Sequence, residues 1–167
     1  MTGQVAHAAK NGDIMPLVTA SDSAGATTVA NPAAGLLAPG ETTTAIVNTN
    51  NATANTQLSV VAMLLPTNDG FLALNSLTVP TLPGTYTYNL NAYDAGTEAN
   101  TESADTVPGP AASGLAEGFN ADRDDVRNAV YVHPGVVTQD DGLNASTLGG
   151  NQRWDNPIAR VQIERVQ

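Results

Sequence analysis

Gln57-Leu58-Ser59-Val60-Val61-Ala62-Met63-Leu64-Leu65 runs directly into Pro66-Thr67-Asn68-Asp69-Gly70-Phe71. The first nine residues are the most apolar run in the chain. The run carries no charge, contains a Val-Val pair and stops at a proline. Its length and β-branched content predict a central strand rather than a helix. Pro66 to Gly70 then reads as a turn. Residues 71–78 (Phe-Leu-Ala-Leu-Asn-Ser-Leu-Thr) follow as a second strand. Residues 85–93 alternate, with Tyr86, Tyr88 and Leu90 on one face, and predict a half-buried strand. Residues 158–166 also alternate, placing Ile158, Val161 or Ile163 inward and Arg160, Gln162 and Glu164 outward. Residues 41–49 (Glu-Thr-Thr-Thr-Ala-Ile-Val-Asn-Thr) and 129–132 (Ala-Val-Tyr-Val) read as further strands. Asn48 to Asn55 is an Asn/Thr-rich turn. Residues 15–19 read as a short strand or loop, residues 33–37 as one helical turn, and Pro39-Gly40 as the turn that closes it.

Strands at short spacing, separated by Gly, Pro and Asn, predict an all-β antiparallel sandwich in a single domain spanning 1–167. No repeat of fixed period suggests a solenoid or propeller. From Asp94 to Gly142 the chain is irregular and acidic, and ten of its sixteen acids lie between Asp94 and Asp141. A structureless stretch of that length is usually functional or disordered.

Composition excludes several classes. The 167 residues include six basic and sixteen acidic side chains, a net charge of -10. That balance disfavours nucleic acid and anionic membrane surfaces. Lys10 is the single lysine, which leaves little for a phosphate-cradling or Schiff-base site. There is no cysteine, so disulfides, zinc thiolates and thiol catalysis are excluded. Charged residues are only 13%, about half the usual quarter, so Thr, Asn, Ser and Gly carry the polarity. No stretch approaches the ~20 apolar residues of a membrane span. Met1-Thr2-Gly3-Gln4 lacks the start of a signal peptide.

Several constellations carry candidate chemistry. Asn68-Asp69-Gly70 reads either as an Asx turn with Gly70 at positive φ, or as a carboxylate presented at a sheet edge to a metal. Asp94, Glu98, Glu102 and Asp105 put four acids within twelve residues. Such charges repel unless a cation or solvent separates them. Calcium, which takes six to eight oxygens in a flexible loop, is the suitable ion, and a solvated acidic loop is the alternative. Asn120-Ala121-Asp122-Arg123-Asp124-Asp125 imitates the start of an EF-hand loop, but Asp125 stands where the glycine is needed. His7 and His133 are the only histidines, too few for a three-histidine metal site. No Gly-x-Ser-x-Gly elbow supports a serine triad around Ser113-Gly114 or elsewhere, so His133, before Pro134, reads as structural. Paired carboxylates of the glycosidase kind are unavoidable among sixteen acids, but Trp154 is the sole tryptophan, which weakens a carbohydrate site. Asn51-Ala52-Thr53 and Asn144-Ala145-Ser146 have the form of glycosylation sequons, expected by chance in so Asn- and Thr-rich a chain.

Read in order, these segments resemble the spondin N-terminal domain family in its bacterial form. The strand 58–65 leading into Pro66-Thr67-Asn68-Asp69 and Phe71 is similar to that family's strand and Pro-x-x-Asp turn. Tyr93-Asp94-Ala95-Gly96-Thr97-Glu98 is similar to its Asp-Ala-Gly-Thr-(Asp/Glu) signature. Val132-His133 and Trp154-Asp155-Asn156-Pro157-Ile158-Ala159-Arg160-Val161 are similar to its closing segments, and Leu36 to Glu41 to its approach. The resemblance implies a C2-like β-sandwich, an extracellular or cell-surface location and a calcium site in the loops at one end. Asp69 and Asp94 would be ligands, with Glu98 next and Glu102 only by proximity. It also implies a non-enzymatic role in adhesion or matrix assembly, with a protein or glycan surface as partner. The chain departs from the animal members in having no cysteine. It also begins late, so an N-terminal strand is expected to be missing, which raises strand addition between subunits. A self-assembling filament or surface-layer subunit is therefore the second expectation, and a carbohydrate hydrolase the third.

Overall fold

A computed structural model of the chain describes residues 13–49, 55–109, 111, 127 and 129–166. Residues 1–12 with His7, the sequon at 51–53, Ser113-Gly114 and the EF-hand-like 120–125 segment lie outside the described residues. Among the described residues the fold is all-β and antiparallel with one helix. The helix is α1 (Met15–Ser23). The strands are β1 (Gln57–Met63), β2 (Gly70–Thr78), β3 (Gly84–Leu90), β4 (Ala92–Asp94), β5 (Tyr131–Val132) and β6 (Ala159–Arg165). Two 3-10 turns, Gln139–Asp141 and Gly150–Gln152, lie between β5 and β6. A four-stranded sheet has the order β1-β2-β4-β5, and a two-stranded sheet pairs β3 with β6.

The hairpin of β1 and β2 pairs Val60 with Leu74 and Met63 with Phe71. Its turn is closed by Thr67, whose hydroxyl donates to the Leu64 carbonyl at 2.6 Å and accepts from the Gly70 N–H at 3.0 Å. β2 then pairs with β4, setting Gly70 opposite Asp94 and Phe71 opposite Tyr93. β4 pairs with β5, setting Asp94 opposite Tyr131. A small apolar cluster of Phe71 and Ala95, with Val61, Ala73 and Tyr93 against it, lies beside these pairings. The Phe71 and Tyr93 rings meet tilted at 5.9 Å, within the range of favourable aromatic pairs.

The alternation read over 85–93 belongs to two strands. Tyr86, Tyr88 and Leu90 do share the more buried face. At Asn91, however, the chain leaves the two-stranded sheet and enters the four-stranded one. Asn156 pins this crossing: its carbonyl oxygen accepts the Ala92 N–H at 2.7 Å, and its amide donates to the His133 carbonyl at 3.3 Å. β6 alternates as its sequence predicts, with Val161 and Ile163 half-buried and Arg160, Gln162 and Glu164 exposed.

Four expectations are corrected. The apolar run 57–65 is an edge strand of its sheet among the described residues, not a central one. Residues 15–19 are helical, because Pro16 stands in the first turn, where its fixed φ and missing N–H cost nothing. Residues 33–37 form no helical turn: Ala34 sits at φ 56, and its N–H donates to Asn31 in a tight turn. Residues 41–49, read as a strand, belong to no ladder.

Candidate functional site

The β2–β4–β5 pairing brings the Asn68-Asp69 turn, the 94–102 loop and Tyr131 to one end of the four-stranded sheet. Asn68, Asp69, Asp94 and Glu102 are fully buried there, and Glu98 is 2% exposed. The structure thus gathers the three acids singled out from sequence, Asp69, Asp94 and Glu98, and adds Glu102, Asn68 and Asn100. Asn68-Asp69 is not a local Asx turn. Gly70 does not take positive φ and instead opens β2, and the two side chains bond residues about thirty positions away.

Each carboxylate has a distinct environment. Asp69 Oδ2 accepts three donors: the Thr97 N–H at 2.7 Å, the Thr97 hydroxyl at 3.0 Å and the Glu98 N–H at 3.0 Å. Asp94 Oδ1 accepts the Gly96 N–H at 2.7 Å. Asp94 Oδ2 accepts the Asn100 amide at 2.8 Å and the Tyr131 hydroxyl at 2.6 Å. The Arg127 guanidinium lies over the Tyr131 ring at 4.3 Å. Asn68 Oδ1 accepts the Glu102 N–H at 3.0 Å, and its amide reaches Glu98 at 3.5 Å.

Gly96 makes this loop geometry. It sits at φ 70, and a side chain there would collide with the backbone of Ala129. Glu102 also has positive φ, at 51. A non-glycine residue in that region stores strain that surrounding contacts must hold. The Glu102 carbonyl, which accepts the Thr147 N–H at 2.7 Å, is one such contact.

Four oxygens of this cluster are buried with no hydrogen-bond partner: Asp69 Oδ1, Asn100 Oδ1 and both Glu102 carboxylate oxygens. Buried polar atoms are nearly always satisfied, and each orphan costs about 1–3 kcal/mol, more when charged. The electrostatics agree. Burial, aided by the Asp94 charge, pushes Asp69 up to about 6. Burial, with the charges of Asp69 and Asp94, pushes Glu102 up to about 7. The loop holds more negative charge than its own donors neutralise. Among the described residues, however, no three His, Cys, Asp or Glu side chains form a ready-made metal-ligand group. Any cation here would need amide and main-chain oxygens as well.

His133 is buried with its ring edge-on to Trp154 at 4.9 Å. Its Nδ1 accepts the Gly135 N–H, so the proton resides on Nε2. Burial holds the imidazole below its usual range against the opposing pull of Asp94. On the other side of Trp154, a cleft of about 400 Å³ is lined by Pro39, Leu64–Thr67 and Asn151–Trp154. None of the clustered acids lines it.

Glu102 was legible only through its place in the acidic run. Asn100 stood inside the acidic segment and Asn156 inside the closing motif, whereas Tyr131 gave no signal of its own, because its bond to Asp94 depends on the pairing of β4 with β5. No helix among the described residues is long and apolar enough to cross a membrane. No protein-family model, no curated protein and no solved structure matches the chain.

Proposed function

We propose that this chain is a non-enzymatic, extracellular β-sandwich module of C2-like form. In this reading a calcium ion orders one end of the sandwich for adhesion or surface assembly. The observation that carries the proposal is the set of four buried, unpartnered oxygens on Asp69, Asn100 and Glu102. A hard cation with oxygen ligands satisfies such atoms and removes the mutual repulsion of the carboxylates. Calcium suits the set better than magnesium. It accepts amide and main-chain oxygens in irregular geometry, whereas magnesium demands a near-ideal octahedron. The resemblance of its ordered motifs to those of the spondin N-terminal domain family is consistent with this reading.

The side chains divide the work. Asp69 Oδ1, Asn100 Oδ1 and the Glu102 carboxylate would hold the ion. Asp94 takes the Asn100 amide and so leaves that residue's carbonyl oxygen for the cation. Asp94 and Glu98 keep further lone pairs as ligand candidates. The ion would supply the positive charge that the loop lacks and would fix the 94–107 segment as a surface for a protein or glycan partner.

The raised Asp69 and Glu102 would also suit acid-base chemistry on a sugar. A general acid must touch its substrate, and both side chains are fully buried and outside the cleft. The hydrolase is therefore the less favoured reading.

The test is a thermal melt of the full chain in EDTA and in millimolar calcium, beside calorimetric titration. Binding only the folded state at a hundred times Kd stabilises by about 2.7 kcal/mol, a rise of about 5–10 °C for a domain this size. Glu102→Gln should shrink that rise. Identical melts with and without calcium, and no heat of binding, would overturn the reading.

A further inference from the structure

We propose that residues 41–49 add as a strand to the open edge of β1 in a second copy of this chain. The proposal is independent of the cation site. Glu41-Thr42-Thr43-Thr44-Ala45-Ile46-Val47-Asn48-Thr49 has the composition of a strand: β-branched residues dominate, and glycine and proline are absent. Yet residues 42–47 join no ladder and make no main-chain hydrogen bond to any described residue. Ile46 is 90% exposed. A strand former with its apolar side chains in water, and with no main-chain bond from 42–47 to a described residue, offers a row of donors and acceptors to another sheet edge.

The structure indicates which edge. Among the described residues β1 ends its sheet, and its seven residues carry no charge and no proline. β6 is protected by Arg160, Glu164 and Arg165, the side chains that blunt edge pairing. β5 has only two residues. β3 is uncharged, but its face is set by half-buried tyrosines rather than by an apolar run. The segment cannot simply be assigned to its own β1. The Arg165 guanidinium donates to the Thr49 hydroxyl at 2.6 Å, tying the end of the segment to the sheet that does not contain β1.

Area supports a mutual exchange. Nine residues in strand form laid against the seven of β1 overlap over about 23 Å. A single contact of that length is short of a stable specific interface, which buries ~1,200 Å² or more, so the contact is expected to be made reciprocally between the two copies. Neither 42–49 nor β1 carries a charge, so like-charge repulsion does not act across this contact despite the net charge of -10.

Because the chain has no cysteine, introduced thiols report only on designed pairs. Full-length chains bearing Ile46→Cys are mixed with chains bearing Ser59→Cys, Val60→Cys or Val61→Cys and oxidised. The expected result is a mixed disulfide with one register of β1, lost when Ala45→Pro is added to the donor chain. A cross-linked monomer from the double variant Ile46→Cys/Val60→Cys would overturn the proposal by placing the segment on its own β1. Wild-type protein is tested in parallel, so that misfolding of a variant does not decide the outcome. It should sediment above 17.1 kDa at raised concentration and return towards that mass when a synthetic Glu41–Thr49 peptide is added. A single 17.1 kDa species at every concentration, with no peptide binding, would equally overturn it.

Discussion

The loop end of the four-stranded sheet and the arm of residues 13–49 are opposites in composition and in burial. The loop end packs Asn68, Asp69, Asp94, Glu98, Glu102 and His133 out of solvent. The arm is rich in Ala, Val, Leu and Thr, yet α1 buries no residue, and Leu36 and Ile46 face water at 72% and 90% exposure. Apolar residues are normally the ones inside. The loop end buries what is normally exposed, which motivates the proposed cation, and the arm leaves apolar side chains of a strand-forming segment in water, which motivates the proposed pairing. Their energetics differ. Desolvating a carboxylate costs several kcal/mol unless it is compensated, whereas leaving an isoleucine in water forfeits about 1.5–3 kcal/mol of burial.

The contrast predicts that perturbing the loop end costs far more than perturbing the arm. The largest effect should come from Gly96→Ala. It combines a left-handed φ with a backbone collision at Ala129, and should destabilise by about 3–5 kcal/mol. A urea midpoint close to wild type would show that the loop is slack and would erase the comparison.

Second in size is pH. In the folded chain Glu102 is raised from 4.5 to about 7 and Asp69 from 3.8 to about 6. At these two carboxyls the folded state holds more protons than the unfolded state between those limits, which lowers stability as pH rises through the window, while His133, held below its usual range by burial, offsets part of that loss below about 6.5. In EDTA, moving from pH 5 to pH 8 should lower stability by on the order of 2–3 kcal/mol. Calcium should flatten the slope. Melts in EDTA that stay level or improve from pH 5 to 8 would contradict the buried, uncompensated carboxylates.

Third, Asp94→Asn keeps the shape but replaces one of the two acceptor oxygens used by Gly96, Asn100 and Tyr131. It should cost about 1–3 kcal/mol and weaken calcium binding, measured by calorimetry. Because it also lightens the charge on Asp69 and Glu102, the EDTA slope with pH should become shallower. The smallest effect belongs to Ile46→Asp. At 90% exposure it should move the monomer's stability by no more than about 0.5 kcal/mol and leave the calcium response intact, while abolishing association in sedimentation. A large loss of monomer stability would mean that the arm packs on its own chain.

How much of this was legible depended on whether the signal was local. The hairpin of β1 and β2 and the alternation of β6 follow from runs of side chains whose period is the period of a strand. α1 was misread because five residues around a proline do not distinguish a strand from a first helical turn. The 85–93 alternation persists across Asn91, but the backbone changes sheet there, since the side-chain period alone does not say which neighbour a strand pairs with. The acids were visible as a run. Which oxygens are left without partners was not, because Thr97, Glu98, Asn100 and Tyr131 reach their acceptors only after β2, β4 and β5 have paired.

Sequence alone therefore determined the β character, the position of the turns, the exclusion of thiol chemistry, the negative net charge, and the acidity of the 94–105 loop. All of these follow from composition and short-range pattern. Tertiary structure decided the rest: that β1 is an edge, that 41–49 is a strand former without a ladder, and that Asp69, Asn100 and Glu102 converge with unsatisfied oxygens. Those properties arise from pairings between segments some thirty or more residues apart, and burial exists only once the segments have met.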